Sequence, residues 1–125
     1  MGVYMKLSDQ FKEYRKNLKD KEHGKNCPVQ YTLRILQGKW NERIIYELSK
    51  YDSLRFGELK KIISEITSTM LSSTLKDLEE QGLVKRTQYN EIPVRVEYSL
   101  SEKGKELHPV FAEMAKWGLK YIDEK

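Results

Sequence analysis

SLRFGELKKIISEITSTMLSSTLKDLEEQGLVKRTQYNEIPVRVEYSL, residues 53–100, reads as one continuous device. After a short turn, Leu59, Ile62 and Ile63 form the inner face of a helix predicted from Phe56 to Ile63. A Ser/Thr-rich helix follows from Ser68 to Gln81, with Leu71, Leu75 and Leu78 on its apolar side, and Gly82 stops it. Leu83–Tyr89 and Val94–Leu100 are rich in β-branched and aromatic residues and read as two strands joined by a tip at Asn90-Glu91-Ile92-Pro93. Two helices and then a β-ribbon spell a winged helix-turn-helix, a shape that offers a protruding helix to the major groove of DNA.

Outward from that stretch lie the supporting helices. Cys27-Pro28 opens one through Gln37, since proline suits the first helical position. Gly38 breaks it, and a second runs from Asn41 to about Lys50 with Ile44, Ile45 and Leu48 facing inward. Three inner faces then close a small trihelical core, with Trp40 expected as a large filler. Ser101 caps a last helix that Pro109 kinks or restarts. The expected class is α+β, mainly α, in one structural domain. It comprises an N-terminal helical arm (1–26), a winged helix-turn-helix (27–100) and a C-terminal helix (101–125).

Two apolar stripes have no partner in this scheme. Leu7, Phe11, Tyr14 and Leu18 recur every three or four residues on a helix from Ser8 to about Lys21 that is otherwise charged. Val110, Phe111, Met114, Trp117 and Tyr121 recur at helical spacing after Pro109. Glu22–Asn26, with Gly24, is a polar connector. Stripes of this kind pack on the body of the protein or on a second chain.

Charge must be read by place. The net charge of the 125 residues is +4, but residues 1–39 hold nine Lys/Arg against four Asp/Glu and residues 40–125 hold fourteen against fifteen. The winged helix is therefore nearly neutral, and bulk basicity does not argue for nucleic acid. No window approaches the roughly 18–20 apolar residues of a membrane span. The N-terminus lacks a signal peptide's apolar stretch and has Lys6 where myristoylation calls for Ser or Thr. One cysteine, Cys27, excludes an internal disulfide and fits a reducing cytoplasm.

Placement of polar groups points to DNA. Thr67, Ser68, Thr69, Ser72, Ser73 and Thr74 crowd the first turns of the second helix, while Asp77, Glu79 and Glu80 fill its end. A helix N-terminus carries free N–H groups and partial positive charge, which suit phosphate. The helix is thus expected to enter the groove N-terminus first, with Lys76 reaching a flanking phosphate. Arg86, Gln88 and Arg95 are the expected contacts of the wing, and Arg55 with Lys60 or Lys61 those at the first helix. No Arg, Asn or Gln stands in the first turns for the strong bidentate base pairings, so DNA shape and the wing are expected to share in sequence choice.

Several blocks in one order carry a resemblance. They are Cys27-Pro28-Val29-Gln30-Tyr31-Thr32-Leu33, Gly38-Lys39-Trp40, Arg55-Phe56-Gly57-Glu58-Leu59-Lys60, Ile66-Thr67-Ser68-Thr69-Met70-Leu71, Leu75–Val84, Pro93–Leu100 and Trp117-Gly118. Together they resemble the HxlR-type family of bacterial and archaeal transcriptional regulators over about Cys27 to Trp117. The resemblance implies a homodimeric winged-helix repressor or activator of MarR-related type whose N- and C-terminal helices build the dimer. Two-fold symmetry of such a dimer on duplex DNA predicts a pseudo-palindromic operator with half-sites about one helical turn apart. The chain departs from the family pattern at Gln30, where Glu is usual. Some members sense oxidants or electrophiles through a cysteine at the position of Cys27, which here follows Lys25 at a helix start, a setting that favours thiolate.

Catalysis finds no support. His23 and His108 lie outside metal-ligand spacing, no Gly-rich phosphate loop exists, and no metal or cofactor is expected. Tyr31, Trp40, Tyr46 and Trp117 are the aromatic residues available to a small-molecule effector at a dimer junction, although aromatics at helical spacing are more often core. The rival to a DNA-binding regulator is a winged helix that contacts only protein, which the near-neutral body favours.

Overall fold

The computed structural model describes residues 6–20 and 27–124. The polar connector 22–26, with His23 and Lys25, lies outside the described residues. The chain divides into two compact units after Leu36. The first holds α1 (Leu7–Asp20) and α2 (Pro28–Leu36). Proline begins α2 as expected, where its missing N–H costs nothing, and the Tyr31 N–H donates to the Cys27 carbonyl at 2.9 Å to close the first turn.

The second unit is a winged helix-turn-helix. Its elements are α3 (Asn41–Leu48), α4 (Phe56–Ile62), α5 (Ser68–Glu80), β1 (Val84–Tyr89), β2 (Arg95–Leu100), α6 (Glu102–Lys105) and α7 (His108–Tyr121). The apolar period of each helix sets what it buries. Ile44, Ile45 and Leu48 of α3, Leu59 of α4, and Leu71, Leu75 and Leu78 of α5 are all but fully buried, joined by Ile63 and Ile66 from the turn. Leu83, Val84 and Leu100 close the core at the base of the hairpin. Trp40 is not the core filler that was expected. It precedes the first residue of α3, lies half-buried, and stacks under Lys39 with Nζ 5.0 Å from its ring.

Among the described residues, one buried acid accompanies this core. The Glu47 carboxylate is nearly inaccessible, and Lys50 Nζ at 3.1 Å and Arg43 Nε at 3.6 Å offset its charge. Lys50 also lies over the Tyr46 ring at 4.7 Å.

β1 and β2 pair antiparallel in the register Val84↔Leu100, Arg86↔Tyr98, Gln88↔Val96, with Tyr89↔Arg95 as the last pair. Leu54, in the turn before α4, adds a third strand position on the other edge of β2. Its N–H donates to the Tyr98 carbonyl at 2.9 Å, and the Tyr98 N–H returns a bond at 2.8 Å. The ribbon is thereby tied to the start of the helix-turn-helix.

Below the ribbon, the chain turns sharply twice. Gly82 ends α5 with φ +79°, a conformation that side-chain-bearing residues rarely adopt. Ser101 caps α6: its Oγ accepts the Gly104 N–H at 3.0 Å, and its hydroxyl donates to the Gly82 carbonyl. The Ser101 N–H donates to the Leu83 carbonyl at 3.0 Å, drawing α6 against β1. Pro109 then stands in the first turn of α7, so the C-terminal helix restarts there. No described helix is long and apolar enough to cross a membrane.

This approach leaves no room at Gly104, where a Cβ would lie 2.3 Å from the Leu83 carbonyl oxygen. Gly104→Ala is expected to lower the unfolding free energy by about 1–3 kcal/mol, the usual cost of overpacking. Gly57→Ala, in α4 with nothing within 4 Å, serves as the control and should gain about 0.5–1 kcal/mol from helix propensity. Urea midpoints that rank the two substitutions in the opposite order would refute this packing.

Candidate nucleic-acid interface

α5 is built to show one side. Thr67 is its N-cap, in extended backbone, and its side-chain oxygen accepts the Met70 N–H at 3.1 Å. With Leu71, Leu75 and Leu78 turned inward, the helical period leaves Ser68, Thr69, Ser72, Ser73 and Lys76 exposed, and these five line one open hollow. Thr74 does not join them. It is buried, and its hydroxyl donates to the Met70 carbonyl one turn back at 2.7 Å, so its polar group is spent inside the helix. The exposed face thus carries small hydroxyls and one cation near the N-terminal end. The acids Asp77, Glu79 and Glu80 lie towards the C-terminal end, where Asp77 accepts from Gln81 Nε2 at 2.9 Å.

The ribbon extends this face. Arg86 on β1 and Tyr98 opposite it share a second hollow with Ser72, Lys76 and Glu79. Ser72 and Lys76 therefore belong to both hollows, and Arg86 continues the line of cations from helix to wing. Gln88, exposed two residues on, shares the Arg86 face. Tyr98, read in the sequence only as a strand residue, comes here through its register with Arg86, and Glu79 brings in one of the acids from the end of α5.

Arg95 is placed elsewhere. Paired with Tyr89, it lies on the opposite face of the ribbon from Arg86 and Gln88. Its guanidinium sits 4.0 Å from the Tyr89 ring centroid, with Nη2 3.2 Å from Glu91 and Nε 3.4 Å from Glu97. That Nε is buried, and its approach to Glu97 is ionic without hydrogen-bond geometry. Glu97 in turn accepts from the Ser53 hydroxyl. The expected trio of wing contacts is thus split into two faces.

At the first helix, Arg55 is exposed just before α4, its N–H donating to the Glu58 carboxylate at 2.8 Å, while Lys60 is half-buried and Lys61 exposed. The two apolar stripes are also on the surface. Leu7, Phe11, Tyr14 and Leu18 of α1 are exposed, as are Val110, Met114, Trp117 and Tyr121 of α7. Phe111 departs from its stripe: it is half-buried and meets the Tyr46 ring edge-on, centroids 6.3 Å apart, so α7 is anchored to α3 through it. The apolar surface of α7 is wider than the stripe, since Leu119 and Ile122 are exposed as well. Cys27 is half-buried immediately before α2. Of the effector aromatics, Tyr31, Tyr46 and Trp117 are exposed, and Trp117 pairs with Tyr121 at 5.0 Å.

The chain has close relatives. The model of the HxlR-like helix-turn-helix family matches residues 35–125. YdzF of Bacillus subtilis (strain 168), an uncharacterized HTH-type transcriptional regulator, is 46% identical over 95 residues, 76% of this chain and 87% of YdzF. Among solved structures, a MarR-family transcriptional regulator of Porphyromonas gingivalis W83 is 40% identical with TM-score 0.72, over 81% of this chain and 98% of that one. The redox regulator HypR in its reduced form is 38% identical with TM-score 0.72, over 78% of this chain and 95% of that one.

The cap of α5 sets the start of the exposed hydroxyl face. Thr67→Ala is expected to lower stability by about 1 kcal/mol, whereas Ser68→Ala, exposed and one residue on, should stay within about 0.5 kcal/mol of the original. Equal urea midpoints for the two variants would contradict the capping role.

Proposed function

The chain belongs to the HxlR-like helix-turn-helix family of transcriptional regulators, and from that membership we propose that it acts as a homodimer on a pseudo-palindromic DNA operator in the cytoplasm. The observation that carries this is the continuous exposed line Ser68, Thr69, Ser72, Ser73, Lys76 and Arg86 across α5 and β1. Each protomer lays the N-terminal half of α5 in a major groove, with Thr67 capping the helix beneath it. Small hydroxyls let the backbone approach, Lys76 and Arg86 meet phosphates, and Gln88 and Arg55 touch the flanks. Two-fold symmetry sets the half-sites about one helical turn apart. In this reading residues 27–100 are the DNA-binding domain, and residues 1–26 and 101–125 serve dimerisation.

The apolar surfaces of α1 and α7 are covered by the second copy. Leu7, Phe11, Tyr14 and Leu18 supply one part, and Val110, Met114, Trp117 and Tyr121 the other, with Phe111 holding α7 to its own body. Cys27 is the redox-sensing candidate. The similarity to HypR, a redox regulator, supports the reading, as does a half-exposed lone thiol at a helix start. An oxidant such as diamide takes up two protons and two electrons as two thiols join. The disulfide forms between Cys27 of two protomers or between Cys27 and a low-molecular-weight thiol. A small-molecule effector among the exposed aromatics is the further alternative.

The decisive experiment is duplex binding by the reduced protein to the promoter region beside its own gene, titrated in salt. Released counterions should give log affinity a negative slope against log salt. Arg86→Ala should flatten that slope by about one unit, and Ser72→Glu should abolish binding by placing an anion against the groove. Diamide should release the operator from the original protein and not from Cys27→Ser. Absence of any salt-dependent binding would favour the protein-contact module, to which the near-neutral charge of residues 40–125 also points. Sedimentation should give the mass of a dimer for the original chain and of a monomer for Trp117→Lys; a dimer in both would move the interface off α7.

A further inference from the structure

The C-terminal end of α5 is held by a segment from beyond the ribbon. Three successive carbonyls past the helix, those of Gln81, Gly82 and Leu83, are taken by α6 and its cap. Lys103 Nζ donates to Gln81 at 3.0 Å, the Ser101 hydroxyl to Gly82, and the Ser101 N–H to Leu83 at 3.0 Å. A helix C-terminus carries free carbonyls and partial negative charge. Asp77, Glu79 and Glu80 add to it here, so an ammonium is the donor that this end of α5 calls for. The Lys103 stem crosses Gly82, its Cδ 4.0 Å from where a Cβ would stand. From this joint α6 passes into α7 with little freedom. Glu106 and Leu107 lie between them, and their N–H groups donate back to Glu102 at 3.0 Å and Gly104 at 3.2 Å. Phe111 then pins α7 on Tyr46. The hydroxyl face of α5 and the apolar surface of α7 are thus joined through α6.

We propose that Lys103 is a positioning residue that decides which half-site spacing the dimer accepts. The inference rests on the reading above, in which α5 lies in the groove and α7 is covered by the second copy. With α7 fixed in the dimer and α5 fixed to α7, the separation and angle of the two α5 helices are fixed as well. One base pair more or less between the half-sites shifts them by about 3.4 Å and turns them by about 35°. The dimer follows such a change only by moving α5 against α6, and breaking the bond from Lys103 to Gln81 is part of that movement. Lys103 stands at the acidic end of α5, outside the hollow lined by Ser68, Ser72 and Lys76. It therefore acts on spacing without itself meeting a phosphate.

The test uses the full chain and the duplex from the promoter beside its own gene, with the half-sites located by hydroxyl-radical footprinting. Binding is measured to that duplex and to versions with one base pair inserted or removed between the half-sites, each titrated in salt. The original protein should bind the altered duplexes about tenfold more weakly, the worth of one base contact. Lys103→Met keeps the stem and removes the donor. It should narrow that gap about fivefold, since the bond that has to break is worth roughly that much and is already gone. Its salt slope on the unaltered duplex should equal that of the original. Lys103→Arg, which can still donate to the carbonyl, should keep the gap. A lysine that only stabilised the fold would weaken binding to every duplex alike; an unchanged gap in Lys103→Met would overturn the proposal. So would a slope flatter by about one unit in that variant, the mark of a phosphate contact. Lys103 is exposed, so its variants fold. An original protein that binds its operator but is indifferent to spacing would overturn this proposal alone. Failure to bind any duplex would overturn the DNA-binding reading and this proposal with it.

Discussion

Two backbone hydrogen bonds between Leu54 and Tyr98 hold the working parts in register. Leu54 opens the segment that becomes α4 and α5, and Tyr98 is the fourth of the six residues of β2. Because Tyr98 also pairs with Arg86, the same strand position fixes the ribbon cation beside Ser72 and Lys76 of α5. Backbone bonds of this kind are insensitive to side-chain identity, so they set the angle between helix and wing while leaving the surface free to vary. The contacts of Ser101 and Gly104 with the Gly82–Leu83 corner fix the other end of the ribbon. A hairpin of two strands alone is marginal in water. Here it is made firm by a third strand position and by the buried Leu83, Val84 and Leu100.

The near-neutral winged helix is consistent with a regulator once charge is located rather than summed. Acids gather at the end of α5 and in two ion-paired groups, Glu47 with Arg43 and Lys50, and Glu97 and Glu91 with Arg95. Across the two groups three acids face three bases, so their charges cancel. What remains along the α5–β1 line is Lys76 and Arg86, with Glu79 beside them and small hydroxyls towards the N-terminal end of the helix. Such a surface carries a modest electrostatic pull and depends more on close fit than a strongly basic one does.

The apolar surface tells a second story. Helix α7 buries no side chain fully, yet it is fixed to α3 through Phe111 and Tyr46. One ring anchors the helix, and Met114, Trp117, Leu119 and Ile122 remain in solvent. An exposed surface of that size and richness in aromatics is what a protein interface uses.

The sequence by itself determined the elements and their inner faces, because those are written in neighbours: the period of Leu71, Leu75 and Leu78, the stop at Gly82, the restart at Pro109, the cap at Ser101. Expected and observed bounds of α5 differ by one residue, Gln81 against Glu80. Thr74 was misread for a local reason, since a hydroxyl on the edge of the apolar stripe satisfies itself on the carbonyl one turn back. Phe111 depended on which helix came to lie beside it, which no local pattern encodes, while Trp40 stands ahead of the first turn of α3 and meets its chain neighbour Lys39. Arg95 depended on register. A four-residue tip, Asn90–Pro93, sets Val94 opposite Tyr89 and Arg95 opposite Gln88, on the face of Arg86. The folded ribbon has a five-residue tip and pairs Tyr89 with Arg95, and a shift of one residue turns every side chain of a strand to the other face. Only the tertiary structure decided that shift, because it places Arg95 between Glu91, Glu97 and Tyr89 while Leu54 binds Tyr98, and these partners meet only when the chain is folded.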